Sequence, residues 1–263
     1  MYDLIFKDQM LGDCDSPKYS DSSKHRIPVF SMDRRIVKPS GMFTIKLELD
    51  EFIQENPGVN VYDASQGDGG FSLGGIPPSE LAVALQNYLP KTQSTKYGNP
   101  IGREDVRKAV CEKYYRFDSI SKLTPDNIIF GDGGRDILQK WYQLVAHNIN
   151  RCGDVVLVSA APWSSYAQGT YINGTNTLMA PGTPENGFKL TTDAIDVSLD
   201  FVQLENRKIS GIVITSPDNP TGNYSTPEEL ITLIEYSVEK AIKHVFVDII
   251  YQVVTDPDLG CYN

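Results

Sequence analysis

Apolar residues along this chain alternate between short continuous runs and stretches with helical spacing. Gly211-Ile212-Val213-Ile214-Thr215 is a β-branched run of the kind that forms a buried parallel strand. Ser216-Pro217-Asp218-Asn219-Pro220-Thr221-Gly222 breaks it with turn residues. Thr226-Pro227-Glu228-Glu229 then opens a helix, with threonine as N-cap, proline at the first helical position and Glu229 completing a capping box. Leu230, Leu233, Ile234, Val238 and Ala241 give that helix one apolar face. Val245-Phe246-Val247 is the next strand, and it delivers Asp248 and Tyr251 just past its carboxyl end. A strand–helix–strand unit of this type binds ligands at the carboxyl ends of its strands.

The same rhythm extends upstream. Asn127–Phe130 and Val155–Ser159 read as buried strands, and Tyr171–Met179 as further strand and turn. Helices are predicted over Ser79–Leu89 (Leu81, Leu85 and Tyr88 on one face), after Arg103 (Val106, Val110 and Tyr114 inward) and over Thr192–Leu204. Ile137, Leu138, Trp141, Leu144 and Val145 mark the apolar side of a helix that starts at Gly131-Asp132-Gly133-Gly134-Arg135. The pattern allows a short helix between Phe43 and Phe52, and a short strand at Val61-Tyr62 runs into a glycine-rich segment. Residues 1–40 are polar and irregular, an arm or lead-in.

Composition narrows the picture. A chain of 263 residues, 40% hydrophobic and 22% charged, can bury a substantial core. A net charge of −10 argues against a nucleic-acid surface, and no run is long enough to span a membrane. Cys14, Cys111, Cys152 and Cys261 lack metal-ligand spacing and read as free thiols of a cytoplasmic protein. With only His25, His147 and His244 besides, no metal site is expected.

Two motifs, Asn219-Pro220-Thr221-Gly222 and Asp248-Ile249-Ile250-Tyr251, resemble those of the fold-type I pyridoxal-phosphate-dependent enzymes, the aspartate aminotransferase family of class I/II aminotransferases. The resemblance implies an aminotransferase-like three-layer α/β/α fold with a mainly parallel sheet and pyridoxal 5'-phosphate as cofactor. In that family the asparagine and tyrosine hydrogen-bond the cofactor's phenolic oxygen, and the aspartate pairs with its pyridine nitrogen. A carboxylate there favours the pyridinium, since an opposite charge stabilises the charged form. The glycine turn before the helix matches the family's phosphate site, which assigns Gly133, Gly134 and Arg135; free amides and the helix dipole suit an anion. Ala161-Pro162-Trp163-Ser164-Ser165-Tyr166 is similar to the family's P-x-[YW]-x-x-Y, with the proline displaced by one, and implies Trp163 stacked on the ring. Tyr97, ahead of Gly98-Asn99-Pro100-Ile101-Gly102, corresponds to a tyrosine that reaches the neighbouring subunit's cofactor phosphate in a homodimer. Gly67, in Gln66-Gly67-Asp68-Gly69-Gly70, corresponds to a glycine lining the substrate's entry. Arg151-Cys152-Gly153-Asp154 matches the family's P-G-D turn with cysteine for proline.

The resemblance implies residues 1–60 as N-terminal arm and small-domain segment, and 61–263 as the first part of the large cofactor-binding domain. The family's Schiff-base lysine lies beyond the D-x-x-Y tyrosine. None of Gln252–Asn263 is lysine, and Lys240 and Lys243 belong to the capped helix. The catalytic lysine is therefore unknown, and the expectation is a chain truncated before it and inactive alone. The implied activity of the complete protein is transfer of an amino group between an amino acid and a 2-oxo acid. A lyase or decarboxylase on the same scaffold, or a non-catalytic ligand-binding domain, uses the same cofactor residues. The last of these would need a DNA-binding module if it served a regulator, and residues 1–60 show no helix-turn-helix pattern.

Overall fold

The structure, a computed structural model, describes residues 41–62, 77–92, 97–116, 122–147 and 154–252. The chain forms two compact units, residues 16–96 and residues 1–15 together with 97–263. The first unit contains α1 (Gly41–Glu55) and α2 (Pro78–Thr92). Both run longer than the sequence pattern predicts. Leu81, Leu85 and Tyr88 of α2 are exposed rather than turned into a core. Val61 and Tyr62 are not in a strand, and the glycine-rich segment after them, with Gly67, lies outside the described residues.

The second unit opens with α3 (Glu104–Ala109), which widens into a π-helical turn over Val110–Tyr114. Its buried side is not Val106, Val110 and Tyr114 but Arg107 and Cys111. Arg107 sets this rotation because its guanidinium satisfies three oxygens at once. It donates to the carbonyls of Pro125 (2.6 Å) and Gly102 (3.3 Å) and to Asp126 Oδ1 (3.1 Å). A buried charge needs such partners, and the helix turns to supply them.

Four parallel strands form one sheet among the described residues: β1 (Val155–Val158), β2 (Asn176–Met179), β3 (Ile209–Thr215) and β4 (His244–Asp248), in the order β2-β1-β3-β4. β1 is buried along its whole length, as expected of a strand with neighbours on both edges and helices on both faces. Against one face pack α6 (Thr192–Leu204) and α7 (Pro227–Glu239), through Ala194, Ile195, Val202, Leu230 and Leu233 onto Leu157, Ile212 and Ile214. The other face takes α4 (Gly134–His147) and Tyr166 of α5 (Ser164–Ile172), with Leu138, Tyr142 and Val145 against Val156, Val158 and Val213. The result is a three-layer α/β/α unit. α4 comes very close to β3: a Cβ on Gly211 would lie 2.9 Å from the tip of the Trp141 ring, so only glycine fits there.

α6 and α7 match their sequence signals. Thr226 accepts from the Glu229 amide (3.2 Å) while Glu229 accepts from the Thr226 amide (2.9 Å), the capping box read from the sequence. Val238, however, is 63% exposed, and Ala241 lies past the helix end with φ 59°. One other expectation fails. Asn127–Phe130 is not a buried strand: Pro125–Asn127 is a single 3₁₀ turn, and Ile129 and Phe130 are 55% and 42% exposed. The backbone there bonds to nearby turns, Ile128 N to Pro125 O at 3.2 Å and Phe130 N to Ile101 O at 3.3 Å, with no strand alongside among the described residues. Tyr171–Met179 meets the expectation in part: Asn176–Met179 is strand β2, but Tyr171 and Ile172 still belong to α5. Gly169 and Thr170 weaken helix propensity, but Gly169 lets α5 lie directly against Tyr142.

Leu157→Ala is expected to cost about 2–5 kcal/mol of stability, the range for emptying a closed core site. Thr226→Ala should cost only ~1 kcal/mol, the worth of one N-cap. Denaturant unfolding measures both, and equal losses would contradict a core centred on β1.

Candidate functional site

The strand order decides where a site can form. From β1 the chain crosses to β2 on one side, then returns past β1 to β3 and on to β4. Between β1 and β3 the connections diverge, and the carboxyl ends of these strands frame the crevice that open α/β sheets use for ligands. Trp163 and Tyr166 follow β1, Asn219 follows β3, and Asp248 ends β4, paired with Thr215 across the ladder.

Their side chains are linked. Asn219 Nδ2 donates to the Tyr251 hydroxyl at 3.2 Å. The peptides Ser216-Pro217 and Asn219-Pro220 are both cis, and the turn is closed by Asp218 N to Asn223 O and Gly222 N to Asp218 O, each 2.8 Å. Asp248 accepts from the Tyr166 hydroxyl at 2.9 Å and from the Ile250 amide at 3.1 Å. Trp163 stands edge-on to the Tyr166 ring, centroids 5.5 Å apart. Arg135 lays its guanidinium over Trp163, 5.2 Å from the ring centroid, and donates to Ser165 Oγ at 3.4 Å. One run of contacts therefore joins Arg135, Trp163, Tyr166 and Asp248, and a second joins Asn219 and Tyr251.

Gly133 (φ 88°) turns the chain into α4, so that the amides of Gly134 and Arg135 begin the helix without intrahelical acceptors. A Cβ on Gly133 or Gly134 would meet nothing within 4 Å, so the turn is open on that side. The neighbouring turn uses its own carboxylate: Asp136 accepts from the Asp132 amide at 3.0 Å and from Lys140, and the lysine holds its carboxyl below the usual value. Tyr97 stands apart, fully exposed and outside these contacts.

Sequence reasoning gave no role to Tyr166 or Thr215, although Tyr166 was part of the tryptophan motif. The Tyr166 hydroxyl lies 2.9 Å from Thr215 Oγ1 as well as from Asp248. A phenol buried against an apolar strand needs a partner for its hydroxyl, and that requirement was the available signal. Tyr142, fully buried on α4, was missed too; it donates to the Tyr166 carbonyl at 3.2 Å. Lys240 binds Asp196 at 2.9 Å on the α6–α7 side.

The donor set suits a flat heteroaromatic phosphate. Asn219 keeps a second amide hydrogen and Tyr251 its own hydroxyl proton, two donors for one anionic oxygen. Asp248 offers a carboxylate to a protonated ring nitrogen, and Arg135 with the first amides of α4 offers positive charge to a dianion. Among the described residues no cluster of metal-ligating side chains occurs, and no helix is long and apolar enough to cross a membrane.

Comparison with known proteins identifies a family and a fold. The family model for aminotransferases of class I and II matches residues 60–261. The chain is 27% identical over 210 residues to a probable aspartate/prephenate aminotransferase of Thermus aquaticus, covering 80% of this chain and 49% of the relative. It is 29% identical over 188 residues to the aspartate aminotransferase of a Bacillus species, covering 70% and 43%. Among solved structures, a Thermus thermophilus aspartate aminotransferase mutant superposes with TM-score 0.64 at 26% identity, over 83% of this chain and 53% of the other. The chain spans about half the length of the curated relatives it matches.

Asp218 provides a check on the turn that carries Asn219. Burial raises its carboxyl above the ordinary value, against hydrogen bonds from Thr221 and the Asn219 amide. A raised pKa in the folded state means that folded protein binds this proton more tightly. Stability from this group is therefore greatest below the unfolded pKa of about 3.9 and falls as pH rises through the folded value. Asp218→Asn removes that loss while keeping an acceptor for Thr221. The variant should gain stability over the parent towards neutral pH, with the difference closing in acid. Denaturation midpoints across that range decide it; a gain that does not change with pH would show that the carboxyl is not buried as described.

Proposed function

This chain belongs to the class I and II aminotransferases, and on that premise we propose that the complete protein is an aminotransferase moving an amino group between an amino acid and a 2-oxo acid. The family depends on pyridoxal phosphate. The observation that carries the reading is the placement of Asp248 at the end of β4, beside the strand whose turn joins Asn219 to Tyr251. An anion and a pair of neutral donors, held on adjacent strand ends, match the two ends of a 3-hydroxypyridine. The names of the relatives support aspartate as the amino acid to assay first.

When bound, the cofactor supplies an electron-accepting ring for the bond broken at the substrate's Cα. Asp248 would keep the proton on the ring nitrogen. Asn219 and Tyr251 would donate to the phenolic oxygen, and Trp163 would cover one ring face and keep water from it. The amides of Gly134 and Arg135, with Gly133 shaping their turn and the Arg135 guanidinium adding charge, would hold the phosphate. For that the guanidinium has only to slide from the Trp163 ring towards the start of its own helix. In this reading the protein acts as a homodimer in which Tyr97, fully exposed here, reaches the neighbouring site. Gly67 would line the substrate's entry, residues 1–60 would form arm and small-domain segment, and 61–263 the first part of the large domain. A cytoplasmic location fits the free, buried thiol of Cys111.

In the complete enzyme, Asp248→Asn should lower kcat about 100- to 1000-fold, the usual cost of one preorganised electrostatic partner. Tyr251→Phe should cost less, since Asn219 still serves the same oxygen. Steady-state kinetics with aspartate and 2-oxoglutarate compare the two. Near-parental turnover in Asp248→Asn would remove Asp248 from the site.

A further inference from the structure

Asp248 has two donors of different kinds. Its Oδ1 accepts from the Ile250 amide within its own turn, at 3.1 Å. Its Oδ2 accepts from Tyr166, a residue of another element, whose hydroxyl also meets Thr215 Oγ1; both distances are 2.9 Å. The direction of these bonds follows from proton counting. A carboxylate only accepts and a phenol has one proton, so Tyr166 must give its proton to Asp248. Thr215 must then give its own proton to the phenolic oxygen. The order is fixed: Thr215 to Tyr166 to Asp248.

The middle member is rigid. Tyr166 is 2% exposed, its ring meets the Trp163 ring at 88°, and its carbonyl accepts from the Tyr142 hydroxyl at 3.2 Å. Burial, and then the Asp248 charge, hold the Tyr166 hydroxyl far above the ordinary tyrosine value, so it keeps its proton at neutral pH.

We propose that Thr215 and Tyr166 form a two-step positioning relay that fixes the Asp248 carboxylate opposite a cationic ring nitrogen. The inference rests on the assignment of Asp248 given above. Hydrogen bonds to a carboxylate favour its charged form. Without the relay, the Ile250 amide is the one remaining donor to Asp248 among the described residues, and the carboxylate is less well held against the ring N–H. Because successive bonds in such a chain polarise one another, the threonine acts on the carboxylate without touching it.

The test is a binding ratio in the complete protein, with no turnover needed. Dissociation constants are measured calorimetrically for pyridoxal phosphate and for its analogue with C–H in place of the ring nitrogen. Only the first can share a proton with Asp248, so their ratio reports that contact alone; phosphate binding and stacking cancel. Tyr166→Phe and Thr215→Val should each reduce the parental preference, the first by about tenfold, the scale of one charge-assisted hydrogen bond. Thr215→Ser, which keeps the hydroxyl, should restore it. Thr215→Val also serves if Tyr166→Phe does not fold. Parental preference retained in both Tyr166→Phe and Thr215→Val overturns the relay while leaving Asp248 in place. A fall in Tyr166→Phe alone overturns it as well, since the threonine step is then absent. If the parent itself shows no preference, the Asp248 assignment fails and the relay with it.

Discussion

β1 and β3 are covered on both faces and both edges, so a polar side chain along their length would be stripped of water without a partner. The polar residues that follow β1, β3 and β4 are therefore gathered at the carboxyl edge of the sheet, where the backbone leaves the ladder and turns become possible. Thr215 is the last residue of β3 and Asp248 the last of β4, and they face each other in the ladder. Their closeness is a product of parallel register, not of any attraction between them. The same register brings the Asn219 turn and the Tyr251 turn side by side, since each leaves the sheet at the same height.

Above that edge Arg135 lies against Trp163 and Ser165, which follow β1, whereas Asn219, Tyr251 and Asp248 belong to the ends of β3 and β4. Tyr166 stands between, bonded to β3 and β4 through its hydroxyl and to α4 through its carbonyl. Side chain and carbonyl together tie the helix layer to both strand ends. The Trp163 indole packs against the same ring at 88°.

What the sequence made legible was local. The capping box at Thr226, the span of α6 and the β-branched runs of β1 and β3 each contain their own signal within a few residues. The Asn219 and Asp248 motifs are short and chemically specific, and they could be placed at strand ends before any geometry was known. Failures came where the outcome depends on a distant partner. The apolar run Asn127–Phe130 has strand composition, but no neighbouring strand exists to pair with it among the described residues. The rotation of α3 follows Arg107, whose acceptors come from a turn far along the chain. Tyr166 and Thr215 are ordinary residues in sequence, and their significance arises only when α5, β3 and β4 converge.

The contact between Trp141 and Gly211 has a mechanical side. It presses α4 against the sheet in mid-helix, and the span from Trp141 back to Gly134 is about 10 Å at 1.5 Å per residue. The indole thus works as a fulcrum, with the opening amides of α4 at the end of a stiff lever arm. A tilt of a few degrees at the fulcrum displaces those amides by roughly half an ångström over that length. The distance between the opening amides of α4 and the strand-end carboxylate is thereby gauged in the dry interior. A missing side chain at Gly211, remote from any ligand, sets the calibre of the crevice.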